Sequence, residues 1–274
     1  CLIDMVEDLL SAGLNCIELS ASPPVNEDEI EYLSKIEAQF SIHNYFPPPT
    51  SPFVLNLASS TDKYLADSLN MARYAIGLTA KLGSSFYGVH SGLRSDVEPT
   101  SLGGLLVYGA IVPYDKSYER FVKSLQILCD YANAQNIAIG VEPNVITNAL
   151  LTDGRNELLL ICEPWEISAL LRDVSRDNLG ILLDMGHLSV ASATLGFSRG
   201  GFIDLVAPDT VAIHLHDNNG LSDTHQPVQP GSWVFDVLCR PEFCKLPVIV
   251  EAKFDNVTNL CRHVDWLRKE LGHE

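Results

Sequence analysis

The chain has 274 residues, 46% of them hydrophobic and 19% charged, with a net charge of −17. That length suits a (β/α) barrel, which typically needs about 250 residues, and no apolar run reaches the roughly 18 residues of a membrane span. The charge disfavours nucleic acid as a partner: phosphate-backbone affinity comes from lysine and arginine, no basic stripe is visible, and three bound divalent cations would still leave the chain strongly acidic.

The first helix is expected at about 2–12, with no strand in front of it. The opening residues carry acids and no basic region, so they do not read as a signal peptide. Short β-branched runs then follow at 14–20 (LNCIELS), 40–46 (FSIHNYF), 85–90 (SFYGVH), 137–142 (IAIGVE), 179–184 (LGILLD), 211–216 (VAIHLH) and 247–251 (PVIVE). Between them the periodicity predicts helices over 62–82, over 117–135 with Phe121, Leu125 and Leu128 on one face, over 164–172 with Pro164 at its first position, and over 258–271. Pro47, Pro48, Pro49 and Pro52 mark a stiff loop. The Gly-, Ser- and Pro-rich segment 92–113 is a candidate lid or active-site loop.

Strands alternating with helices imply a parallel sheet covered by helices. The fold class is α/β, a (β/α)8 barrel whose first strand is missing from the N-terminus of this chain, in one domain spanning 1–274. An open doubly wound sheet is the rival, but no G-x-G-x-x-G or P-loop supports it. The seven cysteines, Cys1, Cys16, Cys129, Cys162, Cys239, Cys244 and Cys261, are scattered and form no C-x-x-C. They read as reduced, mostly buried thiols of a cytoplasmic protein rather than a zinc site.

The chemistry lies in position. Of eight histidines, six (His43, His90, His187, His214, His216 and His225) fall in or just after the last residues of predicted strands. Glu142, Asp184 and Glu251 each end a strand. In a barrel that rim is where catalysis occurs. Taken singly, such a histidine satisfies a buried neighbour and such a carboxylate caps the next helix. Taken together, so many buried carboxylates need cations beside them. Asp184-Met185-Gly186-His187 places an acid at a strand tip and an imidazole one turn later. His214 and His216 share a strand face by period-2 alternation. Asp223-Thr224-His225 lies on a loop folding back over the site. Imidazoles with carboxylates suit zinc, manganese or iron rather than calcium. Arg94, Arg155, Arg199 and Lys253 are candidate anion contacts, and Lys253 is expected on the same strand face as Glu251.

The segments IHNYF, GVHSG, GVEPN, LLDMGH, HLHDNNG, SDTH and VIVEA together resemble the xylose-isomerase-like TIM-barrel superfamily, from about Gly13 to Leu267. That superfamily holds sugar isomerases, tagatose 3-epimerase-type enzymes and endonuclease IV. For its isomerase and epimerase branch, the resemblance implies one divalent ion held by Glu142, Asp184, His214 and Glu251, with His187 beside the substrate. For the endonuclease IV branch it implies three zincs. One is held by His43, His90 and Glu142; the second by bridging Glu142, Asp184, His214 and Glu251; the third by His187, Asp223 and His225. Where endonuclease IV carries basic and aromatic residues, this chain has the acidic loop SASPPVNEDEIEYL. The expected function is therefore a sugar or sugar-phosphate isomerase or epimerase dependent on zinc or manganese. Its catalytic residues would be Glu142, Glu251 and His187, with His216, Lys253 and Arg94 contacting a small carbohydrate. The alternative is an endonuclease IV-like multinuclear zinc phosphodiesterase. A membrane partner is not expected, and an oligomer is left open.

Overall fold

The structure, a computed structural model, describes residues 1–20, 23–102 and 106–272. Helix α1 (Leu2–Ser11) leads into strand β1 (Cys16–Leu19), and the chain then alternates through α2 (Glu27–Leu33), β2 (Gln39–His43), α3 (Asp62–Lys81), β3 (Phe86–His90), α4 (Tyr114–Asn133) and β4 (Ala138–Glu142). A small antiparallel hairpin, β5 (Leu151–Thr152) and β6 (Arg155–Asn156), stands apart from the main sheet. The alternation resumes with α5 (Pro164–Val174), β7 (Leu179–Asp184), α6 (Met185–Leu195), α7 (Arg199–Val206), β8 (Thr210–Leu215), α8 (Val234–Leu238), β9 (Val248–Val250) and α9 (Val257–Glu270).

Seven strands form one parallel sheet in the order β1-β2-β3-β4-β7-β8-β9. The sheet curls into a nearly closed barrel. Glu18 on β1 comes within 3.1 Å of His214 on β8, although four strands lie between them in the sheet order.

Period-2 alternation sorts the side chains of each strand. Ile42, Tyr87, Val89, Ile139, Val141, Ile181, Leu183, Ile213 and Leu215 face outward and join the helices in the main core. Phe86, Leu182 and Ala212 fill the barrel interior, with Ala138 and Ile249 against them. The same alternation turns Glu18, His43, His90, Glu142, Asp184 and His214 inward at the strand ends. The outer layer is held by stripes such as Phe121, Leu125 and Leu128 of α4, all fully buried. Each contributes on the order of 1.5–3 kcal/mol by leaving water. Among the described residues no helix is long and apolar enough to cross a membrane.

Three expectations are corrected. The acidic stretch expected as a loop contains α2, started by a capping box in which the Asn26 side chain accepts from the Glu29 amide and Glu29 accepts from the Asn26 amide. Its residues 21 and 22 lie outside the described residues, as do 103–105 of the expected lid. Helices α6 and α7 fell in a stretch with no helical stripe, because α6 is buried along Met185–Ser192 and presents no polar face there. The cysteines are all free, but only Cys129 and Cys162 are buried. The others sit at the chain start, at the foot of β1, after α8 and on α9, where core helices do not cover them.

Candidate metal centre

Each strand end delivers a polar side chain to one cluster. At its centre stands Glu142, the last residue of β4, whose side chain is 1% exposed. Its Oε2 lies 2.7 Å from His43 Nε2 and 3.1 Å from His90 Nε2. Its Oε1 lies 3.2 Å from His187 Nδ1 and 3.5 Å from His214 Nδ1. The Nδ1 of His214 also faces Glu251 Oε2 at 3.0 Å and Asp184 Oδ2 at 3.7 Å. Glu142, Asp184, His214 and Glu251 thereby bring one ligand atom apiece within 4.8 Å of one another.

Local structure makes this convergence possible. Asp184 ends β7 and caps α6, its Oδ1 accepting from the His187 amide at 2.6 Å. The same carboxylate accepts from His216 Nε2 at 3.1 Å, so the cap and the cluster role coexist. Gly186 is required where it is: a Cβ there would overlap the His216 imidazole. At Gly88, a Cβ would stand 3.0 Å from the His43 ring and 2.8 Å from Leu182. Residues 217–226 fold back over the rim, closed by paired backbone hydrogen bonds between Asp217 and Gln226. That loop carries Asp223, whose Oδ2 is 2.9 Å from His225 Nε2 and 3.6 Å from His187 Nε2.

Many of the short distances here are not aligned hydrogen bonds. His43 Nε2, both oxygens of Glu142, both ring nitrogens of His214, His216 Nδ1 and Asp223 Oδ1 are buried with no aligned partner. Buried polar atoms are ordinarily satisfied. Unsatisfied imidazole and carboxylate atoms gathered in one cluster fit a divalent cation, with a donor set that suits zinc or manganese. Four further groups meet the same geometry: His43, His90 and Glu142; His216, Asp223 and His225; Asp184, His187 and His216; and Glu18, His43 and His214.

A family profile described as xylose isomerase-like TIM barrel matches residues 6–270. The chain belongs to that family. A relative from Methanocaldococcus jannaschii, itself named only as an uncharacterized protein, is 24% identical over 245 residues, covering 88% of this chain and 74% of its own length. Among solved structures, this xylose isomerase-like barrel resembles a D-tagatose 3-epimerase-like protein with a TM-score of 0.71, at 19% identity, covering 94% of this chain and 88% of the other. It also resembles a D-psicose 3-epimerase from Clostridium cellulolyticum H10 with a TM-score of 0.69, at 16% identity, covering 98% and 93%.

The electrostatics of this family member follow from the packing. Burial alone would raise the Glu142 carboxyl, but the imidazoles of His90, His43, His214 and His187 outweigh it and hold it well below the usual range. Asp184, Asp223 and Glu251 are lowered too, each by neighbouring imidazoles acting against burial. Burial would lower His187, yet Asp184, Glu142 and Asp223 raise it to about 10. His43 and His214 are raised against burial by Glu142 and Glu18.

A pH signature follows for the metal-free protein. The depressed carboxylates stabilise the fold above their unfolded values near pH 4, and that contribution is lost on acidification. The raised imidazoles stabilise it below pH 6.5 and lose that contribution as pH climbs toward 10, the value of His187. In chelator the urea midpoint should therefore fall between pH 6.5 and pH 10. Added zinc or manganese should reverse the trend over the lower part of that window, because a cation binds the neutral form of an imidazole. Parallel slopes with and without metal would contradict this assignment.

The remaining expected residues are placed as follows. His216, expected at the substrate, is fully buried and stacked on His225 with ring centroids 4.2 Å apart. It groups with Asp184 and His187 and also with Asp223 and His225, while His187 Nε2 remains 3.6 Å from Asp223. Arg94 donates to the Val112 carbonyl and pairs with Glu157. Lys253 is exposed beyond the end of β9, its amide donating to the His225 carbonyl. Arg199 lies over the Trp233 ring, 4.4 Å from its centroid. One residue escaped the sequence reading: Glu18. Its signal was available, since apolar Ile17 and Leu19 flank it in period 2 at the end of β1.

Proposed function

We propose that the chain is a divalent-metal-dependent sugar or sugar-phosphate isomerase or epimerase. The reading is carried by the tetrad of Glu142, Asp184, His214 and Glu251, whose ligand atoms gather within 4.8 Å on the rim of the barrel. The fold's likeness to a D-psicose 3-epimerase and a D-tagatose 3-epimerase-like protein is in keeping with it. A cation in the tetrad, zinc or manganese, would polarise the carbonyl of a hydroxy-ketone and acidify the adjacent C–H.

The side chains divide the rest of the work. Glu142 lies on the floor with its oxygens turned to imidazoles, whereas the Glu251 side chain is 32% exposed at the mouth. Glu251 is the carboxylate that a substrate can reach, and it moves the proton, with Glu142 holding the opposite side. The Nδ1 of His187 is 3.1 Å from the Pro143 carbonyl. With that nitrogen donating, Nε2 is left to meet a substrate oxygen between Asp184 and Asp223. Lys253, exposed beyond β9, would meet the distal end of a sugar phosphate.

A second reading has its own support. Two of the triads beside the tetrad, His43 with His90 and Glu142 and His216 with Asp223 and His225, fit an endonuclease IV-like multinuclear zinc phosphodiesterase. Against it stand the net charge of −17 and the acidic first turn of α2, with Glu27, Asp28 and Glu29, both of which repel a phosphate backbone. Incubating the protein with a panel of ketoses and ketose phosphates in deuterated water should place deuterium next to the carbonyl of one of them. Cleavage of an abasic-site duplex without any such exchange would overturn the isomerase reading in favour of the second.

A further inference from the structure

Glu18 has no part in the tetrad, yet its Oε1 stands 3.1 Å from a tetrad member, His214. It faces Ser41 in register across β1 and β2, and its Oε2 accepts from the Ser41 hydroxyl at 3.3 Å. Its Oε1 stands 3.1 Å from His214 Nε2 and 3.9 Å from His43 Nδ1. The side chain is 7% exposed. Among the described residues its ionic contacts are with these two imidazoles, and no lysine or arginine lies within 4 Å.

A carboxylate buried without a cationic side chain is costly unless something donates to it. The two nitrogens of His214 face opposite ways. Nδ1 looks at Glu251, Glu142 and Asp184; Nε2 looks at Glu18. A neutral imidazole that lends Nδ1 to a cation must carry its proton on Nε2, and that proton needs an acceptor. His43 repeats the pattern at longer range, with Nε2 toward Glu142 and Nδ1 toward Glu18.

We infer that Glu18 is the positioning residue of this centre: its Oε1 is 3.1 Å from His214 Nε2, close though not aligned as a hydrogen bond in this structure, and with a cation on Nδ1 it would accept the Nε2 proton and so fix the tautomer and ring orientation that present Nδ1 to the cation. This rests on the metal-binding half of the proposed function. Glu18 is not itself a ligand in this assignment. Its nearer oxygen sits on the far side of the His214 ring from the three carboxylates, and its other oxygen is held by Ser41. Outer carboxylates of this kind typically account for 10–100-fold in metal affinity.

The test uses cobalt(II) as probe, titrated into the metal-free full chain and followed by its visible absorption. Glu18→Ala should weaken binding about 10–100-fold and alter the absorption band of the bound ion, because the His214 ring is no longer held. Glu18→Gln keeps an amide oxygen facing Nε2 and should recover most of the affinity and the wild-type band. Thermal melts of the metal-free variants report folding independently of the ion. Unchanged affinity and band in Glu18→Ala would overturn the role. If that variant does not fold, a Glu18→Gln protein that is folded but as weak as a tetrad knockout would overturn it too. Failure of the wild-type chain to bind cobalt, zinc or manganese would remove the metal reading itself, which is a separate outcome.

Discussion

Glu251→Gln should lower catalysed deuterium exchange by roughly 10²- to 10⁴-fold, the range that a positioned acid–base group supplies, while the far-UV circular dichroism stays that of the wild type. The substitution removes one negative charge and keeps the shape. The side chain is one-third exposed, so the amide is solvated rather than stranded. The residue follows β9 and faces the cluster without entering the main core, so the fold does not depend on it. The effect should reside mainly in kcat: a group that takes the proton acts in the transition state, and its loss lowers kcat more than it raises KM. Metal affinity should fall as well, since Glu251 Oε2 is 3.0 Å from His214 Nδ1; saturating metal in the assay separates the two effects. An exchange rate within a few-fold of wild type under those conditions would move the proton transfer to Glu142 or elsewhere.

The second large effect is on stability. A ligand at a thousandfold excess over its Kd stabilises the native state by about 4 kcal/mol. For a chain of this size each kcal/mol is worth about 2–4 °C. Chelation should accordingly lower Tm by about 8–16 °C relative to protein with excess zinc or manganese. The fold should survive the removal. Without the ion, His43, His187 and His214 hold protons more tightly than free imidazole and neutralise part of the carboxylate charge around Glu142. Calorimetric scans with and without chelator measure the difference. Identical melts would mean that the imidazoles and carboxylates serve one another and hold no cation.

Sequence patterns reached some of this architecture and not the rest, for physical reasons. Strand β7 was legible because both of its faces are buried, which makes LGILLD a continuous apolar run. Helix α4 was legible because one face meets the core and the other meets water. Helix α6 was not, because its first turns are buried on all sides. The tetrad could be expected because parallel strands place their ends on one ring, a matter of topology rather than of detailed geometry. Side-chain direction in the loops has no such rule. That His216 rather than His187 groups with Asp223 and His225 depends on how residues 217–226 close. That Arg94 is taken up by Val112 and Glu157 depends on contacts far apart in the chain. Glu18 was passed over although its alternation with Ile17 and Leu19 was readable. It stands two residues before the end of the apolar run 14–20 rather than at its tip, so a rule based on strand ends does not reach it.

The claim beneath all of these expectations is that acids and imidazoles from seven strand ends and one loop meet around a divalent ion. Elemental analysis of the chain purified without added metal, beside an Asp184→Asn/Glu251→Gln variant prepared identically, tests it most directly. The wild type should carry about one equivalent or more of zinc, manganese or a related ion, tightly enough to survive gel filtration, and the variant should carry little. Wild-type protein with no more metal than its buffer, before and after incubation with zinc and manganese, would contradict the account.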